Sequence, residues 1–211
     1  MGTLKENVCP NCGASVRVLE YSKTVNCDYC GTILHVDDKG SEGSEFTNTG
    51  IKMDKHDVGP LHVGTFGFYK RIPFKIVGVI EYIDDEGWKW QEYYLNFKDG
   101  KKAWLEYDDG QYTILFNLFL DDFKIPRMML CSLKVSGEKV KITEKGESKI
   151  VYQWGQIPFT STPDATINYI DGIGKPSGSI YSVEYTDHEV EVFKGEKVDK
   201  KFDGQYIHLT D

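Results

Sequence analysis

The chain has 211 residues, a formal net charge of −8 and a sequence pI of about 5.2. That acidity is the wrong overall field for a protein that grips nucleic-acid phosphates. Hydrophobic residues make up 40%, aromatics 13%, and 21 residues are glycine, which supplies a β-rich core for a body of about 150 residues and turns to punctuate it.

The first nine residues are polar and lack an apolar core, so no signal peptide is expected. Gly2 opens a myristoylation pattern that Glu6 breaks. Residues 1–38 carry the clearest motif. Cys9-Pro-Asn-Cys12-Gly and Cys27-Asp-Tyr-Cys30-Gly are matched Cys-x-x-Cys-Gly turns separated by 14 residues. Two-residue spacers let each pair grip one soft metal, so Cys9, Cys12, Cys27 and Cys30 are expected to hold a single structural zinc ion. Between them Val16 and Val18 alternate with Ser15 and Arg17 as in a short strand, Ser22-Lys23 can turn the chain, and residues 32–36 read as a further strand. Two knuckles and a small antiparallel sheet make a zinc ribbon. Residues 1–45 hold four basic against seven acidic side chains, which favours protein contact or structural support over phosphate contact.

Residues 39–57, rich in Gly, Ser, Thr and charge, read as a flexible linker that would let the ribbon sit away from the body. Residues 58–211 read as an all-β domain. Strand-like runs at 74–83, 88–97, 102–107 and 111–120 are separated by acidic and Asp-Gly turns, forming a meander. Residues 88–97 are apolar or aromatic on both faces. The most apolar run, 112–120, is too short to span a membrane and is interrupted by Asn117. Further strands are expected at 139–143, 149–154, 166–170, 179–186 and 189–194, with a last one near 206–209. Turns are expected at Asp187-His188 and Lys194-Gly195-Glu196. Ser182-Val183-Glu184-Tyr185 echoes Trp90-Gln91-Glu92-Tyr93, so the body is read as an antiparallel sandwich or barrel of two similar halves.

No catalytic motif stands out. Gly172-Ile-Gly174-Lys175 lacks the residues of a phosphate loop or a dinucleotide fingerprint, so a loop between strands is expected there. The histidines (35, 56, 62, 188 and 208) are scattered, and Cys131 is expected to be a buried structural thiol. Trp88, Trp90 and Trp104 fall in one meander, read first as core and second as a ligand-binding groove. Glu92 and Glu184 lie in aromatic strands, where acid–base work is the alternative to a solvated face. The candidate ligand or interaction site is therefore Trp90, Glu92, Trp104 and Glu184.

The body resembles the family known as domain of unknown function 4178. The resemblance rests on Trp90-Gln91-Glu92-Tyr93-Tyr94-Leu95, Trp104-Leu105, Gly155-Gln156-Ile157-Pro158-Phe159, Asn168-Tyr169-Ile170 and Ser182-Val183-Glu184. Asn168 stands where the family has Asp. The resemblance implies an N-terminal zinc ribbon and a genomic context of envelope-stress proteins, small membrane proteins and polyamine-synthesis enzymes; it implies no activity. The leading expectation is a non-enzymatic, cytoplasmic zinc-binding adaptor with a protein partner, in a bacterial envelope-stress or membrane-associated assembly and without a transmembrane segment. The alternative is an enzyme or a small-ligand-binding β-domain, for example for a polyamine. The third is nucleic-acid binding through the ribbon.

Overall fold

In the computed structural model, which describes residues 4–38, 44–120, 123–125, 131–187 and 189–210, every regular element is a β-strand. The ribbon contributes β1 (Leu4–Val8), β2 (Ser15–Leu19), β3 (Thr24–Asn26) and β4 (Thr32–Asp38), followed by β5 (Ser44–Lys52). The body contributes β6 (Phe66–Tyr69), β7 (Ile72–Asp84), β8 (Lys89–Phe97), β9 (Lys102–Asp108), β10 (Gln111–Asn117), β11 (Ser132–Val135), β12 (Glu138–Ile157), β13 (Thr166–Lys175), β14 (Ile180–Tyr185), β15 (Val190–Phe202) and β16 (Ile207–Thr210).

The expected meander is present as β7-β8-β9-β10. Its outer strands do not remain edges. β10 pairs with β15 and β7 pairs with β12, and β12-β13-β14-β15 completes an eight-stranded, wholly antiparallel ring. Of the two architectures read from the sequence, the body is therefore a barrel. Eight strands enclose a space large enough for side chains or one small ligand.

The shared strands β7-β8-β9-β10-β15 close a second ring through β6 and β16. This explains why residues 88–97 are apolar on both faces. Tyr93, Leu95 and Phe97 enter a core with Phe74, Ile76, Leu105 and Ile114, while Tyr94 enters another with Ile80, Trp104, Leu115 and Phe193. A strand between two interiors has no face left for water, and alternation is lost from its hydropathy.

Gly195 makes one closure, and not the turn expected at 194–196. It lies within β15, opposite both Leu115 of β10 and Ile180 of β14. A Cβ there would stand 1.7 Å from the Ile114 carbonyl oxygen, a separation no packed atom tolerates. Gly195→Ala is expected to destabilise the protein by about 2–4 kcal/mol, measured by denaturant melts; a change below about 0.5 kcal/mol would show that the seam is looser than this contact requires.

Other expectations change. Residues 139–143 and 149–154 belong to one 20-residue strand, β12, bulged near Ile142 where it crosses β13 and near Ile150 where it crosses β7. The Gly172–Lys175 stretch is strand β13, not loop. Cys131 is exposed, not buried. His188 lies outside the described residues, as do residues 39–43 and 126–130. Residues 44–52, expected as linker, form β5, which pairs with β4. The ribbon is also seated on the barrel, because β3 pairs with the end of β12. Gln156 fixes that joint: its side-chain oxygen accepts from Leu19 N and Ser22 Oγ, and its amide donates to the Arg17 carbonyl. No helix among the described residues is long and apolar enough to cross a membrane.

Candidate functional site

The inward alternation of the barrel strands decides which side chains meet. On β8 the inward residues are Trp90 and Glu92, on β9 Glu106 and Asp108, on β10 Thr113 and Leu115. On β13 they include Tyr169 and Asp171, and on β14 Ser182 and Glu184. Together they line a cavity of about 690 Å³. Its floor is the apolar cluster of Ile80, Tyr94, Trp104 and Phe193, against which Leu19 and Tyr21 of the ribbon also pack.

The lining includes eight carboxylates, and Lys197 is the one basic side chain among the described residues that form it. Lys197 is exposed at the rim and donates to Gln111. The outer carboxylates have partners: Asp108 accepts from Trp88 Nε1 at 2.7 Å, and Glu144 accepts from the Tyr169 hydroxyl at 2.9 Å. Those deeper inside are poorer in partners. Glu92 is 6% exposed, and its one hydrogen bond from a described residue comes from Trp90 Nε1 at 3.3 Å. Glu184 accepts no hydrogen bond from any described residue.

Sequence register places these carboxylates against one another. Glu92 stands directly opposite Glu106 across β8 and β9, and Glu184 directly opposite Glu191 across β14 and β15. Opposed side chains of an antiparallel pair have Cβ atoms about 4.5–5.5 Å apart, and like charges there repel. Removal from bulk water, then the neighbouring carboxylates, raises Glu92 well above the carboxylate range. The same causes push Glu106 and Glu184 up to about 8, and Asp171 up to about 6. Burial therefore favours the protonated form of Glu92, Glu106 and Glu184 over the charged one.

Aromatic rings form part of the wall. Tyr82 stacks on Trp90 with centroids 5.3 Å apart, and Tyr169 meets Trp90 edge-on at 5.7 Å. The Tyr82 hydroxyl is buried without a hydrogen-bond partner among the described residues, a costly arrangement that a ligand group or water in the cavity would relieve.

The structure thus brings Trp90, Glu92 and Glu184 to one cavity and places Trp104 beneath it as core. Trp88, expected as core, is 51% exposed at the rim. Glu106, Asp171 and Glu191 escaped the sequence reading. Glu106 alone left a trace, the Glu-Tyr dipeptide it shares with Glu92-Tyr93 and Glu184-Tyr185; the same dipeptide at Glu81-Tyr82 turns the aromatic to the cavity instead, and Asp171 and Glu191 carry no such signal.

The four cysteines form the second site. Their Sγ atoms lie within 4.8 Å of one another, with Cys9–Cys30 at 3.9 Å and Cys12–Cys27 at 3.7 Å. A tetrahedral ion bound to sulfur at about 2.3 Å requires about 3.8 Å between sulfurs, so the donor set fits a metal ion. Gly31, at φ 71, lets the second knuckle turn beneath Met53, whose carbonyl oxygen would meet a Cβ at 2.2 Å.

No curated protein and no solved structure matches the chain. The model of one family, Domain of unknown function (DUF4178), matches residues 62–200, which include every barrel strand named above but for the last residues of β15. The chain belongs to the DUF4178 family.

Proposed function

We propose that this DUF4178 domain binds a small organic cation inside its barrel, and that the cysteine site holds one structural zinc ion. The observation that carries the first reading is the barrel cavity of about 690 Å³, open at its rim, with eight carboxylates and no basic group deeper than Lys197 among the described residues that line it. Its volume falls in the range of small-molecule sites. Carboxylates accept charge-assisted hydrogen bonds from an ammonium group, and Trp90, Tyr82 and Tyr169 offer π-faces and apolar contact to the carbon skeleton. Four thiolates would fill the coordination shell of zinc and leave no open position for chemistry, which supports a structural role for the ribbon. The cation reading is preferred to the adaptor reading because the carboxylates line the inside of the barrel, which suits a small ligand better than a folded partner.

Thermal melts at pH 8 and low ionic strength test the cation. A ligand at 100 times its Kd stabilises by about 2.7 kcal/mol, so butylamine, diaminobutane or spermine is expected to raise the melting temperature by several degrees, and butanol to leave it unchanged. If none of the amines shifts it, or butanol shifts it equally, the cation reading is wrong. Elemental analysis of protein purified without a chelating resin tests the zinc: one ion per chain is expected, and free thiols with little metal would refute it.

A further inference from the structure

We infer that the ligand carries at least two ammonium groups on a flexible apolar skeleton, each held between its own pair of opposed glutamates, Glu92 with Glu106 and Glu184 with Glu191. This rests on the organic-cation reading of the cavity. Three directly opposed acidic pairs face these spaces: Glu92–Glu106 on β8–β9, Glu184–Glu191 on β14–β15 and Glu144–Asp171 on β12–β13. In the third, Glu144 already accepts from the Tyr169 hydroxyl, which leaves the two glutamate pairs as the stations for a ligand. They stand on different arcs of the ring, separated by β10 on one side and by β7, β12 and β13 on the other. Glu92 feels the charge of Glu184 across the cavity, yet no three carboxylate oxygens of described residues gather within 4.8 Å of one another, so one compact cation does not touch both pairs. A chain with a cation at each end can, and its carbon skeleton would cross the space walled by Tyr82, Trp90 and Tyr169.

The second pair also reaches beyond the main cavity. Glu184 and Ile167 line both that cavity and an adjoining pocket of about 110 Å³, which Glu191, Ile150 and Phe159 share. A carboxylate on the wall between two spaces suits a chain end that passes from one to the other. Glu191 has one oxygen held by Asn117 Nδ2 at 2.8 Å, which fixes its side chain and leaves its second oxygen for a ligand. A bare divalent metal fits poorly, because the cysteines form the one group of described residues that brings three or more potential ligand atoms within 4.8 Å of one another.

Calorimetric titration of the full chain at pH 8 with butylamine, diaminobutane, diaminooctane and spermine tests the proposal. At least one of the polycations is expected to bind about 30-fold or more tightly than butylamine. Glu191→Gln and Glu106→Gln should each weaken that polycation by about tenfold while leaving butylamine within about threefold, since the other pair remains. Melts of both variants confirm folding, and the removal of a repulsion predicts melting at or above the parent temperature. If butylamine binds as well as every polycation, the two-station proposal falls and the organic-cation reading stands. The same holds if the variants weaken both ligands alike. If no amine binds, or magnesium binds in their place, both readings fall together.

Discussion

Changing Glu92 and Glu184 together to glutamine is expected to raise the melting temperature of the ligand-free protein at pH 8 and to abolish its response to diamines. Both carboxyls sit above their ordinary range because burial, and then neighbouring carboxylates, disfavour their charge. A carboxyl whose folded pKa is raised binds its proton more tightly folded than unfolded. Below the unfolded value both states are protonated and the group has no effect. As pH rises from about 4.5 through about 8, folding becomes progressively more expensive in free energy, because the unfolded chain ionises freely and the barrel does not. Glutamine keeps the shape and removes the charge. After allowance for water in the cavity, each replacement is expected to add about 1–2 kcal/mol at pH 8, roughly 3–6 °C in melting temperature. The difference between variant and parent should be near zero at pH 4.5 and grow toward pH 8. A variant that melts below the parent at pH 8 would mean that the two carboxylates are held by partners, not by repulsion. On the ligand side, loss of two charged acceptors is expected to weaken a diamine by about 100-fold or more.

The other large effect lies in the ribbon. Cys27→Ser removes one of the four thiols of the proposed zinc site at a fully buried position, and it is expected to abolish metal binding and unfold residues 4–38. Structural zinc sites supply much of the folding free energy of the small modules that hold them, so a loss of about 4 kcal/mol or more is expected. The damage should reach the barrel, for three reasons. Residues Gln156 and Ile157 of β12 pair with β3. Thr24 donates to the Phe159 carbonyl and accepts from Ser161 N, and both partner residues line the pocket behind Glu184. Tyr21 packs edge-on against Tyr94 at 5.7 Å in the cavity floor, with Lys102 Nζ 4.3 Å from its ring centroid. Loss of metal is therefore expected to weaken diamine binding as well, and by reciprocity a bound diamine should slow metal loss to a chelator. Hydrogen exchange along residues 150–161 reads the coupling. If the ribbon unfolds while that exchange and diamine affinity stay unchanged, the joint through Gln156 carries no energy between the sites.

What could be read from the sequence was local. Each cysteine knuckle is a four-residue pattern, and each meander turn is marked by its own short Gly-containing run, such as Asp99-Gly100 and Asp109-Gly110. What could not be read depends on chain segments far apart. Lys194-Gly195-Glu196 has the composition of a turn, yet Gly195 is there because β10, about eighty residues earlier, crosses it closely. Glu144-Lys145-Gly146-Glu147 has the same look, yet it runs through the middle of β12. An acidic residue alternating with aromatics is ordinarily a solvated face. In this chain the aromatic face of β8 already fills the second ring, so Glu92 faces an interior as well. That Glu106, Glu184 and Glu191 share its surroundings follows from closure of the barrel, which no stretch of the chain announces by itself.

Calorimetric titration of diaminobutane into the protein at pH 7, repeated in buffers of different ionisation enthalpy, tests the central claim most directly. An ammonium ion entering a cavity whose carboxyls retain protons at that pH must displace them. Saturable binding with release of about one proton or more per ligand is predicted, and release should vanish in the Glu92→Gln, Glu184→Gln double variant along with binding. Absence of saturable binding at low ionic strength, or binding that releases no proton and survives in the double variant, would contradict the assignment of the acidic barrel as a cation site.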